Sequence, residues 1–535
     1  MALFGKRIEL GTLFEDVADR GHSTTVHLSR PLDIAPGLGT VLDPPALAGL
    51  VRDAAGWFAG AGVKPGDRVA ISKRDHWDLV LLCCAAARLG AVPVPLSASL
   101  EKDVLEILLK RLDPALLVVD AARLPDGRPA DSGAARTLVL DRGVDREPGD
   151  GSVLSLHDVR GHTVPAPRRR PDDDPLAILH TSGTTGVPKL VVHSTRTLLR
   201  RLVDFEAHRW PVLAARPDDV AAAAFSFAHG RALAWTAAVS ALGPAKMVVI
   251  TSADWDEARP PLEEHRPTVM EAQPSTFVRW RPHSRTRAFD RVRLYVSTFD
   301  AVHPPTVRTF LDATRHPRPV WLQGWGQTET GPLTFRFFTR RAMRAERGRH
   351  PTTRDLGRPV PGRTRLRVVD RETLRPVPRG TAGLLACSTK ALCLDYTAER
   401  ERYLRKRAGR WFITGDLGVL TRGGRLLLLD RESDALPEAS CVEVEDVIED
   451  RLPGVGECVV LSVPGGRAQP VLVVEDGRLD PDLWRSALAD LPELAEPVLV
   501  TWERMPRTAT GKVRRAALRE HLGLPPETHG TGRWT

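Results

Sequence analysis

Cysteine is scarce in this chain. Six occur in 535 residues, with no C-x-x-C pair and none beside histidines at zinc spacing, which excludes a disulfide framework and a zinc scaffold. So few thiols fit a reducing compartment. Lysine is rarer than the net charge of +9 suggests: only ten of the 76 basic residues are lysine, and the arginines are scattered. With aromatics at 5% and no basic stripe interleaved with them, nucleic acid is not an expected partner. A scattered basic surface still helps to draw in a small anion. Long apolar runs are missing too. The most apolar stretch, Leu79 to Leu96, is broken by Arg88, Gly90 and two prolines, so no membrane span is expected. The opening MALFGKRIEL lacks a long apolar core, so a signal peptide is not expected and the reading is a cytoplasmic, soluble protein.

What is present is enough for a large buried core: 42% of the residues are hydrophobic, and the length predicts two or three structural units. LAGLVRDAAGWFAGAG has apolar residues at helical spacing and is ended by Gly60 and Gly62. RVAIS reads as a buried strand, WDLVLLCCAAARLG as a helix closed by Gly90, and AVPVPL as a strand. That alternation predicts an α/β architecture with parallel strands. PAPRRRPDDDP, Pro165 to Pro175, has no periodicity and reads as a surface connector. After the strand RLLLLD the composition shifts, and the last hundred or so residues read as a small α+β unit, followed by a tail, PPETHGTGRWT, expected to be mobile.

Between these segments, the strand LAILH runs into Thr181-Ser182-Gly183-Thr184-Thr185-Gly186-Val187-Pro188-Lys189. Two glycines let the backbone fold tightly and turn N–H groups toward an anion, while four hydroxyls and a lysine add donors to phosphate oxygens. The glycine-to-lysine spacing is not that of the Walker A loop. This loop resembles the signature of the adenylate-forming superfamily, which holds acyl- and aryl-CoA synthetases, luciferases and peptide-synthetase adenylation domains. Four further segments resemble that superfamily in its own order: Trp325-Gly326-Gln327-Thr328-Glu329, Leu356 to Gly362, Trp411-Phe412-Ile413-Thr414-Gly415-Asp416, and Pro506 to Lys512.

The resemblance implies a large α/β domain over 1–430, with parallel-rich sheets flanked by helices and a small barrel-like part. A small mobile α+β domain over 431–535 would carry the catalytic lysine. It implies ATP and Mg²⁺ as cofactors, with CoA as a possible third. In-line attack on the α-phosphorus with departure of pyrophosphate needs charge neutralisation and positioning more than a base. The implied cofactor-binding residues are Thr181, Ser182, Gly183, Thr184, Thr185, Gly186 and Lys189 on the phosphates, Trp325 under adenine, and Asp416 with Arg431 on the ribose. Trp325 as a core residue is the alternative. Glu329 is the expected Mg²⁺ ligand, Thr328 an α-phosphate contact, and Lys512 the bridge between attacking oxygen and phosphate. Phe225, His229, Phe299, Gly324 and Gly326 are assigned to the substrate pocket, with His229 reaching the substrate oxyanion or serving as a satisfied loop histidine.

Three departures from the family pattern bear on the second half of the reaction. The hinge segment Asp430 to Glu445 lacks the family's lysine and glycine and is shorter, which removes the loop that lines the pantetheine tunnel of CoA ligases. Where the family has small residues, Ser297-Thr298-Phe299-Asp300-Ala301 carries Phe299, which either shrinks the pocket or turns into the core. Phe225 to Gly230 resembles the aryl-CoA form of the substrate gate. The expected activity is therefore AMP-forming activation of a small aryl or short-chain acid, then transfer to CoA or a carrier-protein thiol. The alternatives are an amine acceptor, as in an amide synthetase, or nitrite as the activated acid in a diazotisation. An inactive nucleotide-binding homologue is the non-enzymatic reading.

Overall fold

A computed structural model describes residues 7–123, 133–140, 152–183, 186–344, 352–432, 440–525 and 534. Two compact units divide the chain: the first is residues 1–183, 187–269 and 391–401, and the second is 184–186, 270–390 and 402–535.

In the first unit the predicted alternation is a wholly parallel sheet. Its strands run in the order Val92–Ser97, Arg68–Lys73, Leu116–Val119, Thr137–Val139, Val153–Ser155. The helix read from Leu47 starts earlier, at Pro44, because Asp43 caps Ala46 N–H and proline is tolerated in the first turn. Helix Asp78–Arg88 is buried on every face, as its unbroken apolar run requires. The predicted strand before the phosphate loop, Pro175–His180, pairs antiparallel with Leu190–Ser194, so the loop closes a hairpin rather than opening a helix. The charged connector is tied down locally, with Arg169 on Asp172 and Arg170 on Asp174.

The second unit holds three groups of strands. Leu294–Ser297 and Val320–Gln327 run parallel, and Gly331–Phe338 returns antiparallel beside the latter. Beneath them lies an aromatic core in which Phe277, Tyr295, Phe310 and Trp321 contact one another at ring distances of 4.6 to 6.3 Å. An antiparallel sheet of Thr364–Val369, Ala382–Thr389, Trp411–Leu420 and Leu426–Arg431 forms the second group. The third is the expected α+β module: helix Cys441–Arg451 against strands Val455–Leu461, Gln469–Val474 and Val498–Val500.

One expectation fails at the carboxy terminus. Trp534, in the tail expected to be mobile, is 2% exposed and packs on Val369, Leu384, Ile413 and Leu417, while buried Lys406 donates to its carbonyl. A single large indole contributes enough buried apolar area to fix its own position, whatever the polar character of its neighbours in sequence. The rest of that tail, and hinge residues 433–439, lie outside the described residues. No helix among the described residues is long and apolar enough to cross a membrane.

Candidate active site

A cavity of about 220 Å³ lies in the second unit, and Phe299, Gly324, Trp325, Gly326, Asp416, Arg431 and Lys512 all line it. Residues up to 213 positions apart in sequence (299 and 512) thus share one wall. Trp325 and Gly326 sit at a register shift near the end of strand Val320–Gln327. Gly326 is obligatory there: a Cβ would lie 2.1 Å from the Gly331 carbonyl oxygen. The tight turn that follows is closed by Gln327 N–H donating to Thr330 Oγ1 at 3.2 Å, and it carries Thr328 and Glu329, the latter 3% exposed.

Asp416 is buried at the middle of strand Trp411–Leu420. Its Oδ2 accepts from Gln327 Nε2 at 3.1 Å, and its Oδ1 lies 3.6 Å from Arg431 Nε. Burial pushes the carboxyl above the usual carboxylate range, against the pull of Arg431, Lys406 and Lys512. A pair of acceptor oxygens held this way suits two adjacent hydroxyls.

Lys512 stands on a turn closed by Thr508 N–H to Lys512 O at 2.8 Å and Gly511 N–H to Thr508 O at 2.9 Å. Gly511 has φ +74°, and a Cβ on it would meet Ser275 Oγ at 2.0 Å, so only glycine lets the turn come this close. Burial lowers the pKa of Lys512; Arg431 also lowers it, while Asp300, Asp416 and Glu329 oppose the fall. The ammonium thus faces several carboxylates, a setting for charge placed on phosphate oxygens.

Phe299 follows strand Leu294–Ser297 with φ +82°, a left-handed conformation that costs a bulky side chain on the order of 1–3 kcal/mol. It is half-buried and forms part of the cavity wall. Gln327 and Gln323 are among the lining residues that went unassigned at the level of sequence. Gln327 orients Asp416, and Gln323, 5% exposed, has an Oε1 with no hydrogen-bond partner among the described residues. That orphan acceptor is suited to an N–H of a bound ligand. Only the glutamines' place beside the Trp-Gly motif marked them.

Thr181, Ser182, Gly183, Lys189, Phe225 and His229 lie in the first unit, and Gly186 in the second. Thr181 N–H donates to Lys189 O and Lys189 N–H to Thr181 Oγ1, each at 3.0 Å, which ties together the two ends of the segment 181–189. Thr184 and Thr185 lie outside the described residues. Lys189 Nζ is 5.6 Å from the centroid of the Tyr396 ring. Phe225 is buried, its ring against Phe227 and Trp235. His229 is the N-cap of helix Gly230–Leu242, and its Nδ1 accepts from Arg231 N–H at 3.1 Å. A neutral His229 therefore carries its proton on Nε2. The turn before it is held by Asp75, whose Oδ1 accepts from Phe227 N–H at 2.9 Å.

Among the described residues no three His, Cys, Asp or Glu side chains cluster as a metal cage. A magnesium ion would rest on Glu329 together with phosphate oxygens, the sparse protein ligation usual for Mg²⁺ at nucleotides.

A family model described as AMP-binding enzyme matches residues 46–397. The chain is 35% identical, over 99% of its length and 98% of the relative's, to the 3-amino-2-hydroxy-4-methoxybenzoate diazotase of Streptomyces cremeus. It is 28% identical to the 3-hydroxybenzoate–CoA ligase of Aromatoleum sp., over 86% of this chain and 88% of that one. Among solved structures, ATP-bound MatB from Rhodopseudomonas palustris superposes with a TM-score of 0.76 at 26% identity, covering 96% of this chain and 98% of that one. The α/β fold is shared with that solved structure, and the chain belongs to the AMP-binding enzyme family, the adenylate-forming enzymes.

Proposed function

We propose that this enzyme activates nitrite as its adenylate and transfers the nitroso group to an aromatic amine. The observation that carries the reading is Phe299: a strained, bulky residue forms part of the cavity wall where an aryl-acid ligase is expected to keep small ones. A three-atom oxyanion needs less room than an aryl carboxylate. The whole-length similarity to a diazotase supports the same choice, as does the shortened hinge, which removes a pantetheine-lining loop.

In this scheme a nitrite oxygen attacks the α-phosphorus and pyrophosphate leaves. Lys512 bridges the incoming oxygen and the phosphate, and Thr328 contacts the α-phosphate. The loop 181–189 holds the outer phosphates, Trp325 lies against adenine, and Asp416 with Arg431 grips the ribose. Glu329 would hold Mg²⁺, which neutralises phosphate charge. His229 Nε2–H donates to the oxyanion. The amine nitrogen then attacks the nitroso nitrogen, the N–O bond breaks, and AMP leaves with the oxygen. The nitrosamine loses water to give the diazonium ion, and this step takes up the proton that the amine released. The module 431–535 would turn between the two steps, withdrawing Lys512.

AMP release measured over a panel of acids and acceptors tests the proposal. Release that needs both nitrite and an aminobenzoate is expected. The acid–thiol reading draws on the likeness to a 3-hydroxybenzoate–CoA ligase; release that needs an aryl acid and CoA or a carrier protein, with nitrite inert, would establish it instead. No release under any condition would leave a nucleotide-binding protein without turnover.

A further inference from the structure

Four donors converge on the carboxylate of Asp446. His303 Nδ1 and Thr352 Oγ1 each approach to 2.8 Å, Thr353 N–H to 3.0 Å and Thr353 Oγ1 to 3.1 Å. Asp446 is 0% exposed, on the middle turn of helix Cys441–Arg451. The acidic residues of this helix face two ways. Glu445 and Glu449 fasten it to its own module: Glu445 Oε1 accepts from Val460 N–H at 2.8 Å and from Arg515 Nη2 at 2.7 Å, and Glu449 Oε1 accepts from Cys458 N–H at 2.9 Å while also lying 3.7 Å from His303 Nε2. Glu443, Asp446 and Asp450 face the preceding part of the chain, where they meet Arg354, His303 with Thr352 and Thr353, and Arg308.

A continuous polar connection leads from there to the catalytic loop. Arg515, held by Glu445, follows Lys512 by three residues and also donates to Val460 O. Arg507, at the start of the same loop, is paired with Glu457 on the neighbouring strand. Helix, strand and loop are thereby joined as one body, and the orientation of the helix sets the position of Lys512.

We infer that Asp446 is a positioning residue for adenylation: by gathering His303, Thr352 and Thr353 it latches the module that carries Lys512 with that lysine at the cavity. This rests on the reading of Lys512 as the residue that acts on the α-phosphate. A buried, fully paired carboxylate is weak grounds for added stability, whereas four directional hydrogen bonds favour one orientation of the helix. Burial acts to lower the pKa of His303, but Glu449 and Asp446 outweigh it and raise the imidazole to about 10.

The test is a double-mutant cycle on pyrophosphate release by the full chain. Asp446→Asn, which swaps an acceptor oxygen for an amide among four donors, should lower the rate about tenfold with the KM for ATP changed by less than about threefold, as expected when only a transition-state contact is misplaced. In a Lys512→Ala background the same substitution should cost nothing further. Thr352→Val, which removes one donor and leaves the carboxylate paired, should show a smaller loss with the same dependence on Lys512, and it guards against misfolding of the first variant. Equal losses in both backgrounds, or an unchanged rate in Asp446→Asn, would overturn the inference. A Lys512→Ala enzyme with an undiminished rate would instead remove the reading of Lys512, and the latch with it.

Discussion

Asp416 and Arg431 face each other across adjacent antiparallel strands, in register, with Arg431 Nε 3.6 Å from Asp416 Oδ1 and Gln327 Nε2 on the other oxygen at 3.1 Å. Both partners point the carboxylate into the cavity while leaving it capacity to accept more hydrogen bonds. Asp416→Ala should therefore raise the KM for ATP by about tenfold or more, the loss of a hydrogen bond to a charged group being worth about 1.5–3 kcal/mol. Gln327→Leu should raise it less, since Arg431 remains. Steady-state kinetics check both, and equal KM values in the two variants and the parent would contradict the assignment.

Lys512→Ala should cut adenylate formation by at least about a hundredfold, the range for losing one preorganised charge contact. The lysine's lowered pKa adds a pH signature. Its charge is lost below the pH at which an ordinary lysine titrates, so the rate should fall on the alkaline side earlier than pH 10.5. In Lys512→Arg that limb should disappear, whatever rate remains. An unaltered alkaline limb would assign it to another group.

Phe299→Gly should act twice. Relief of the left-handed conformation should raise the thermal midpoint, because glycine adopts φ +82° without the steric cost. The enlarged cavity should admit an aryl carboxylate, seen as new AMP release with benzoate-type acids. A lower midpoint together with unchanged acid preference would place the ring outside the specificity wall.

Burial raises the Asp75 carboxyl to about 6, partly offset by hydrogen bonds from the 226–228 turn and by Lys73. An acid whose folded pKa lies above its unfolded value contributes most below the unfolded pKa, and that contribution is lost as pH rises through about 6. Asp75→Asn does not ionise. The melting temperature of the variant relative to the parent should therefore climb between about pH 4 and 7. A difference that stays flat or falls would show that the carboxylate is not penalised in the folded state.

The adenylating motifs were legible because each is a short run whose residue types the chemistry dictates: hydroxyls and glycines at 181–189, a carboxylate after a turn at 329, a lysine on a glycine turn at 512. Strand and helix identities followed from apolar patterning, as in the strand RVAIS and the helix that begins LAGLVRD. The supports were not legible. Asp446 binds residues 93, 94 and 143 positions away, and no local pattern records a pairing over that distance. Trp534 escaped because its neighbours in sequence are polar and glycine-rich, while its packing partners are in the 364–420 sheet. Gln327 escaped because its motif carries better-known residues on either side.

Oxygen-18 transfer distinguishes nitrite from every other candidate for the adenylated acid. With doubly labelled nitrite, an arylamine and ATP, the account predicts one labelled oxygen in the phosphate of the AMP released, because the oxygen that attacks phosphorus stays there when the N–O bond breaks. AMP that carries label only from labelled water, or none at all, would contradict activation of nitrite as an adenylate.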